Sequence, residues 1–345
     1  MTADDLLRKA YEAKASDIHI TVGSPPMFRI HGEMRQASDQ TMTPYETMEL
    51  AKQLMNQEQY ASFVGSGDLD FSYGIDGVSR FRINVYKQKS NVSLTIRLIP
   101  QRIPHMEQLG LPPIATEFAN KPQGLLLVTG PTGSGKSTTL AAIVDYINRS
   151  RREHIITLED PIEFVHEHKQ CIVNQREIGI DTASFATGLR AALRQDPDVV
   201  LVGEMRDLET ISTAITAAET GHLVFGTLHT ADAPQTIDRV IDVFPPEAQQ
   251  QIRVQLAAVL LGVMAQRLLP TVDGGGRVAA IEVLVNTPAV ANLIRSEKVH
   301  QIRSVMQTGK AQGMQTMEMS LRELLQRGQI TVDEARNAMF GFAEL

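Results

Sequence analysis

The sequence predicts an α/β fold in two domains: a small N-terminal α/β unit, then a doubly wound, mainly parallel sheet with a helical C-terminal part. Three observations carry this. A chain of 345 residues exceeds what one core usually serves. Its first hundred residues mix amphipathic helices with period-two strands, and beyond residue 122 short apolar runs alternate with helical stripes, as parallel βαβ units require. The expected division is 1–100, a linker over 101–122, and 123–345.

In order, residues 4–15 read as an amphipathic helix and 18–22 as an alternating strand. Thr43, Pro44 and Glu46 make a capping box with proline in the first turn, which starts a second helix. Residues 68–73 and 79–86 form a hairpin turning at Asp76 and Gly77, and 92–98 alternate again. Phe81, Ile83 and Val85 take one strand face and Arg82 the other; Arg97 has the same polar parity. On pattern alone Arg82 and Arg97 are solvated surface charges. Five prolines between residues 100 and 122 mark a stiff linker.

Residues 124–129 then read as a buried strand, and 138–148 as a helix with the apolar stripe Leu140, Ile143, Val144 and Ile147. Between them Gly130, Pro131, Thr132, Gly133, Ser134, Gly135, Lys136 and Ser137 fit G-x-x-x-x-G-K-[ST]. Strand, glycine loop and helix is the frame in which such a loop binds a nucleoside triphosphate. Its N–H groups turn inward on the phosphates, Lys136 brings a charge to the β and γ oxygens, and the Ser137 hydroxyl can ligate Mg²⁺. The first helical turn, Thr138 included, adds its positive end.

The alternation continues with a strand at 155–158, a helix at 184–194, a strand at 199–202, a helix at 208–220 stopped by Gly221, and a strand at 223–228. From about Ala231 the chain is expected to be mostly helical. A turn at Gly274, Gly275 and Gly276 leads into a strand at 278–285, and Thr287 with Pro288 opens another helix.

Ligands of open α/β sheets gather at the carboxyl ends of strands. There the 155–158 strand meets Glu159, Asp160 and Glu163, and the 199–202 strand meets Glu204 and Asp207. Carboxylates so placed can assist Mg²⁺ or orient an attacking water. Asp160 and Asp207 read equally well as helix caps; Glu204, following four apolar residues, points to function. His222 and His229 flank the 223–228 strand and are expected on one rim of the sheet. With no third ligand at metal spacing zinc is a poor reading, and hydrogen bonding near phosphate a better one.

Composition narrows the classes. With 33 basic and 40 acidic residues the chain carries a net charge of −7, which argues against a generic grip on nucleic acid. Cys171, the single cysteine, permits neither an internal disulfide nor a four-cysteine zinc site, and reads as a small apolar filler in a reducing compartment. The first five residues, Met-Thr-Ala-Asp-Asp, are acidic and lead into no apolar stretch, against export. The longest apolar run, 256–265, is about half a bilayer span, so membrane insertion is not expected.

Several segments in order resemble one family, the hexameric RecA-like motor ATPases of secretion systems and type IV pili, over nearly the whole chain. They are Ala-Ser-Asp-Ile-His at 15–19 with Pro25 and Pro26, the loop at 130–137, and Ile-Ile-Thr-Leu-Glu-Asp-Pro-Ile-Glu-Phe at 155–164. Asp-Val-Val-Leu-Val-Gly-Glu-Met-Arg-Asp at 198–207 and Thr-Gly-His-Leu-Val-Phe-Gly-Thr-Leu-His-Thr at 220–230 complete the set. The resemblance implies a PAS-like N-terminal domain, a RecA-like P-loop core, a homohexameric ring, and ATP with Mg²⁺ between subunits. It implies that Lys136 and Ser137 hold phosphate and metal, that Glu204 serves Mg²⁺ partly through water, and that Glu163 is the general base. His222 and His229 would couple nucleotide to domain movement. Arg82 and Arg97 would reach the γ-phosphate as arginine fingers, a role worth ~10³ to 10⁵ in rate.

Extending and secretion members of the family carry a longer N-terminal region and usually a four-cysteine zinc site, so the expectation is the pilus-retraction subgroup. Such a motor works at the cytoplasmic face of the inner membrane against a platform protein. One departure stands out: that subgroup's Ala-Ile-Arg-Asn-Leu-Ile-Arg is here Ala-Val-Ala-Asn-Leu-Ile-Arg at 289–295, with Ala291 for the first arginine and Arg295 kept. An accessory retraction ATPase, or an extension or type II secretion ATPase, is the alternative. A regulator that binds nucleotide without hydrolysis is the rival of another class, and Glu163, Glu204, Arg82 and Arg97 speak against it.

Overall fold

The computed structural model describes residues 2–30, 32–99 and 102–340. It divides into two compact units, Met1–Arg102 with Glu163–Val165, and Ile103–Ile162 with His166–Leu345. Pro100 and Gln101, at the start of the expected linker, lie outside the described residues.

The first unit runs α1 (Ala3–Glu12), β1 (Asp17–Ile20), β2 (Met27–Ile30), β3 (Glu33–Gln36), α2 (Pro44–Leu54), α3 (Gln57–Ser66), β4 (Asp68–Ile75), β5 (Ser79–Gln88) and β6 (Asn91–Ile99). Thr43 and Glu46 close the predicted capping box on α2, and Thr2 with Asp5 does the same for α1. The six strands form one antiparallel sheet in the order β3-β2-β1-β6-β5-β4. Period-two burial puts Phe81, Ile83, Val85, Leu94 and Ile96 into a core shared with Leu6, Leu7 and Leu50. Each such side chain contributes roughly 1.5–3 kcal/mol. Sequence patterning passes over β2 and β3: β3 is four exposed edge residues with Met34 the one apolar side chain among them.

The second unit continues with α4 (Ile114–Ala119), β7 (Gly124–Thr129), α5 (Lys136–Ser150), β8 (His154–Glu159), β9 (Ile172–Glu177), α6 (Phe185–Ala192), β10 (Val199–Val202), α7 (Leu208–Glu219) and β11 (Leu223–Leu228). It ends with α8 (Ala233–Asp242), α9 (Pro246–Val259), β12 (Leu260–Pro270), β13 (Arg277–Val285), α10 (Pro288–Arg295), α11 (Ile302–Thr308), α12 (Met317–Gln326) and α13 (Val332–Phe340). The strand order is β13-β12-β7-β11-β10-β8-β9, parallel except for β13. Both faces are covered, as the unbroken apolar strands predict. Leu125 and Leu127 of β7 join a core with α7, α8 and α9; Leu126 and Val128 join another with α4 and α5.

Two expectations need correction. The stretch read as a linker carries α4, and Met106, Ile114, Ala115, Phe118 and Ala119 are buried against β7 and α5, so residues 103–122 belong to the second core. Beyond Ala231 the chain is mostly helical and β13 falls on the strand read at 278–285, but β12, 11 residues paired with β7, is a strand the reading lacked. The aperiodic run 256–265 is shared between the end of α9 and the start of β12, and pairing with β7 decides where the helix stops. No helix among the described residues is long and apolar enough to cross a membrane. Cys171 is buried, its Sγ 3.1 Å from the Arg151 carbonyl, consistent with a filler.

Candidate nucleotide-binding site

The phosphate loop leaves the carboxyl end of β7, whose six residues are all buried, and enters α5 at Lys136. Pro131, Thr132 and Gly133 are exposed, and Ser134 is buried beneath them. Gly130 adopts φ +139°, and a Cβ there would stand 2.3 Å from the backbone oxygen of Gln266, so only glycine fits this approach of β7 to β12. Gly135 occupies the cap position of α5 and offers no side chain, which leaves the first-turn N–H groups of the helix for an anion. Lys136 Nζ donates to the carbonyls of Gly130 and Pro131, at 2.8 and 3.1 Å. The ammonium is therefore held over the loop, where phosphate oxygens can take over from carbonyls. Ser137 and Thr138 follow in the same turn, half-buried.

Glu204 stands just beyond β10. Because β11 lies between β7 and β10, the two strand ends are about 10 Å apart, room for phosphates and a hydrated ion between them. The turn after β10 is fixed to β11: Thr227 Oγ1 donates to the Gly203 carbonyl, and Met205 N–H donates to the Thr227 carbonyl at 3.0 Å. This brings His229, just past the end of β11, to Glu204, with Nε2 2.8 Å from Oε1. Arg206 Nε pairs with the same oxygen. Glu204, Arg206, His229, Thr230 and Arg239 line a pocket of about 340 Å³. Asp207 caps α7 by accepting from Thr210 N–H at 2.8 Å, the cap role the sequence allowed.

His222 is not on that rim. It precedes β11 and His229 follows it, so a six-residue strand of about 20 Å separates them. His222 Nδ1 sits 2.9 Å from the Ala217 carbonyl, near the end of α7, on the amino edge of the sheet.

Glu163 is exposed on the loop after β8, within the three residues grouped with the first unit. Both ends of that tip are pinned. Ile162 N–H donates to Glu177 Oε2 at 3.3 Å and His166 N–H to Gln175 Oε1 at 2.8 Å. Downstream, the loop is tied to α5: Asn148 Nδ2 donates to the Glu167 carbonyl, Lys169 N–H donates to Asn148 Oδ1, and Lys169 Nζ pairs with buried Asp145.

Arg82 and Arg97 are direct cross-strand partners on the polar face of the first unit's sheet, 46% and 70% exposed. Like charges so placed repel unless acids intervene. Asp70 lies 3.8 Å from Arg82 Nε, and Arg97 Nε donates to Asp17 Oδ1 at 2.9 Å. Asp17 is almost fully buried. Burial works against its ionisation, but hydrogen bonds from Arg97 and Ser16 prevail and hold the carboxyl below its usual range. Asp17, Gln266 and Arg239 carried no role in the sequence reading. The signal for Gln266 was its place, with Arg267, as the two polar residues between apolar stretches of β12.

The family model described as type II/IV secretion system protein matches residues 1–274. The type IV pilus retractation ATPase PilT of Pseudomonas aeruginosa is 49% identical over 97% of both chains. The type IV pilus ATPase PilU of the same organism is 41% identical over 97% of this chain and 88% of its own. A crystal structure of the pilus retraction motor PilT with bound ADP superposes with a TM-score of 0.90 at 50% identity, covering 97% of this chain and 96% of the other. The chain belongs to the type II/IV secretion system protein family.

Proposed function

We propose that this protein is a homohexameric motor that hydrolyses ATP with Mg²⁺ to drive retraction of a type IV pilus. The observation that carries this is similarity to a pilus retraction ATPase over 97% of both chains, with the phosphate loop intact in this one. In this reading Gly130 to Thr138 hold the phosphates and Lys136 neutralises them. Ser137 and Glu204 supply hard oxygen donors, the chemistry Mg²⁺ prefers. One hydroxyl and one carboxylate leave most of its coordination to phosphate and water, in keeping with the absence of any cluster of three metal-binding side chains among the described residues. The ion, when bound, screens the charge on the phosphoryl oxygens. Glu163 takes the proton of the attacking water. His229, bonded to Glu204, relays nucleotide state to the adjoining pocket, whereas His222 serves the far edge of the sheet.

Arg82 and Arg97 act as fingers on ATP bound by a neighbouring subunit of the ring, which works at the cytoplasmic face of the inner membrane on a platform protein. Turnover should depend on Mg²⁺ and collapse in Lys136→Ala and Glu204→Ala; normal turnover in both would end this assignment. Deleting the gene should leave cells over-piliated and non-motile, whereas bald cells would mean extension. A second reading, an accessory retraction ATPase, is favoured by one observation: the site of the subgroup's first C-terminal arginine is Ala291, buried in the core on α10. Over-piliation that a second retraction ATPase relieves would support it.

A further inference from the structure

The residue that shapes the phosphate loop lies on the neighbouring strand. β12 pairs with β7 in parallel, Ala265 opposite Thr129, which brings Gln266 level with Gly130. Its side chain is 1% exposed. Nε2 donates to the Ser134 carbonyl at 2.7 Å, across 132 residues of sequence. Its amide oxygen Oε1 is buried with no hydrogen-bond partner among the described residues, as is Ser134 Oγ. An unmet buried acceptor is destabilising and offsets what the bond to the Ser134 carbonyl contributes, so the core alone gains little from this amide. The amide answers some other need.

The geometry of the peptide unit supplies one. In a trans peptide the carbonyl and the following N–H point to opposite sides. Drawing the Ser134 carbonyl toward β12 therefore turns the Gly135 N–H away from β12, adjoining the open first turn of α5. We infer that Gln266 is a positioning residue for phosphate binding: it locks the Ser134–Gly135 peptide so that the loop presents a donor to the terminal phosphates of a nucleoside di- or triphosphate. This rests on the reading of the loop as the nucleotide site.

The test is ADP affinity by calorimetry in the full chain, with Lys136→Ala as reference. Gln266→Leu should bind ADP about 10- to 100-fold more weakly, the value of one hydrogen bond to a charged group, while its melting temperature changes little, because the unmet Oε1 is removed as the Ser134 carbonyl loses its donor. With ATP the loss should fall on KM more than on kcat. Gln266→Glu should bind poorly at pH 8 and recover as the pH falls, because only the protonated carboxyl can donate to Ser134. Should Gln266→Leu not fold, the Glu variant decides. Undiminished affinity in Gln266→Leu, or a flat pH profile in Gln266→Glu, overturns the proposal when Lys136→Ala has lost binding. If Lys136→Ala binds normally too, the fault lies with the nucleotide-site reading.

Discussion

Alanine at two glycines of the same loop separates backbone strain from crowding. Gly133 has φ +79° and nothing within 4 Å of an added Cβ, so Gly133→Ala meets only the left-handed backbone penalty, roughly 1–2 kcal/mol. Gly130 has φ +139°, and its Cβ would lie 2.3 Å from the Gln266 backbone oxygen and 2.7 Å from Ser134 Oγ. Neither can retreat cheaply: the oxygen belongs to a strand paired on both sides, with β7 and β13, and Ser134 is buried. Strain and overpacking together make Gly130→Ala cost roughly 2–6 kcal/mol. Relief by parting β7 from β12 would also pull the Ser134 peptide off Gln266, so Gly130→Ala should lose ADP affinity as well as stability. Thermal melts with and without ADP read both quantities. Equal melting temperatures for the two variants, with equal ADP shifts, would refute the claim that close strand approach shapes this loop.

Three further outcomes follow. Glu282, buried on β13, accepts from the first N–H of α8 at 2.9 Å and of α12 at 3.2 Å; burial, against the Ala233 N–H bond and with Asp232 nearby, raises its pKa from an ordinary 4.5 to about 6. A raised acid stabilises the fold fully below its unfolded pKa and loses that contribution as pH rises through the folded one, so wild type should gain about 2 kcal/mol on Glu282→Gln between pH 7 and pH 4, measured by urea unfolding. A constant difference would mean Glu282 does not titrate there. Asp145→Ala should cost about 1–3 kcal/mol, below a fully buried pair because Lys169 and Arg149 keep contact with water, and should speed hydrogen exchange in 163–171; unchanged exchange would show the tie to α5 is idle. Mixing Arg82→Ala with Lys136→Ala subunits should restore part of the ATPase activity if the finger acts in trans, and inactive mixed rings, verified by native mass spectrometry, would count against it.

What was legible in the chain depended on range. Strands β7, β10 and β11 were readable to the residue because their apolar runs are bounded by glycine or charge within a few positions. The caps at Thr43, Asp207 and Thr287 are equally local. Failures begin where a partner distant in sequence decides. β12 is a strand because it pairs with β7, more than a hundred residues earlier, and no period in 256–265 announces it. The histidine pair shows a different loss: both residues border one strand, yet seven positions of extended chain put them on opposite edges. Asp17 and Gln266 reach their partners across 80 and 132 residues, so patterning reveals them only as polar exceptions in apolar surroundings.

The division of work between Glu204 and Glu163 can be argued from hydrogen-bond capacity. Glu204 Oε1 already accepts from Arg206 and lies 2.8 Å from His229 Nε2, so half of this carboxylate is committed to groups that fix its orientation. A general base needs an oxygen open to a mobile water, whereas a group serving an ion through water needs a fixed direction. Glu204 suits the second task. Glu163, exposed on a tip pinned at Ile162 and His166, suits the first. Glu204→Gln should therefore raise the Mg²⁺ concentration needed for half-maximal turnover, while Glu163→Gln should lower kcat at saturating Mg²⁺ by about 10²- to 10⁴-fold and leave that concentration unmoved. The opposite pattern would exchange the two roles. The arginine bonded to Glu204 makes a sharper case: Arg206→Ala releases one bond on Oε1, and if orientation is what Glu204 contributes, the Mg²⁺ requirement should rise although no carboxylate has been removed.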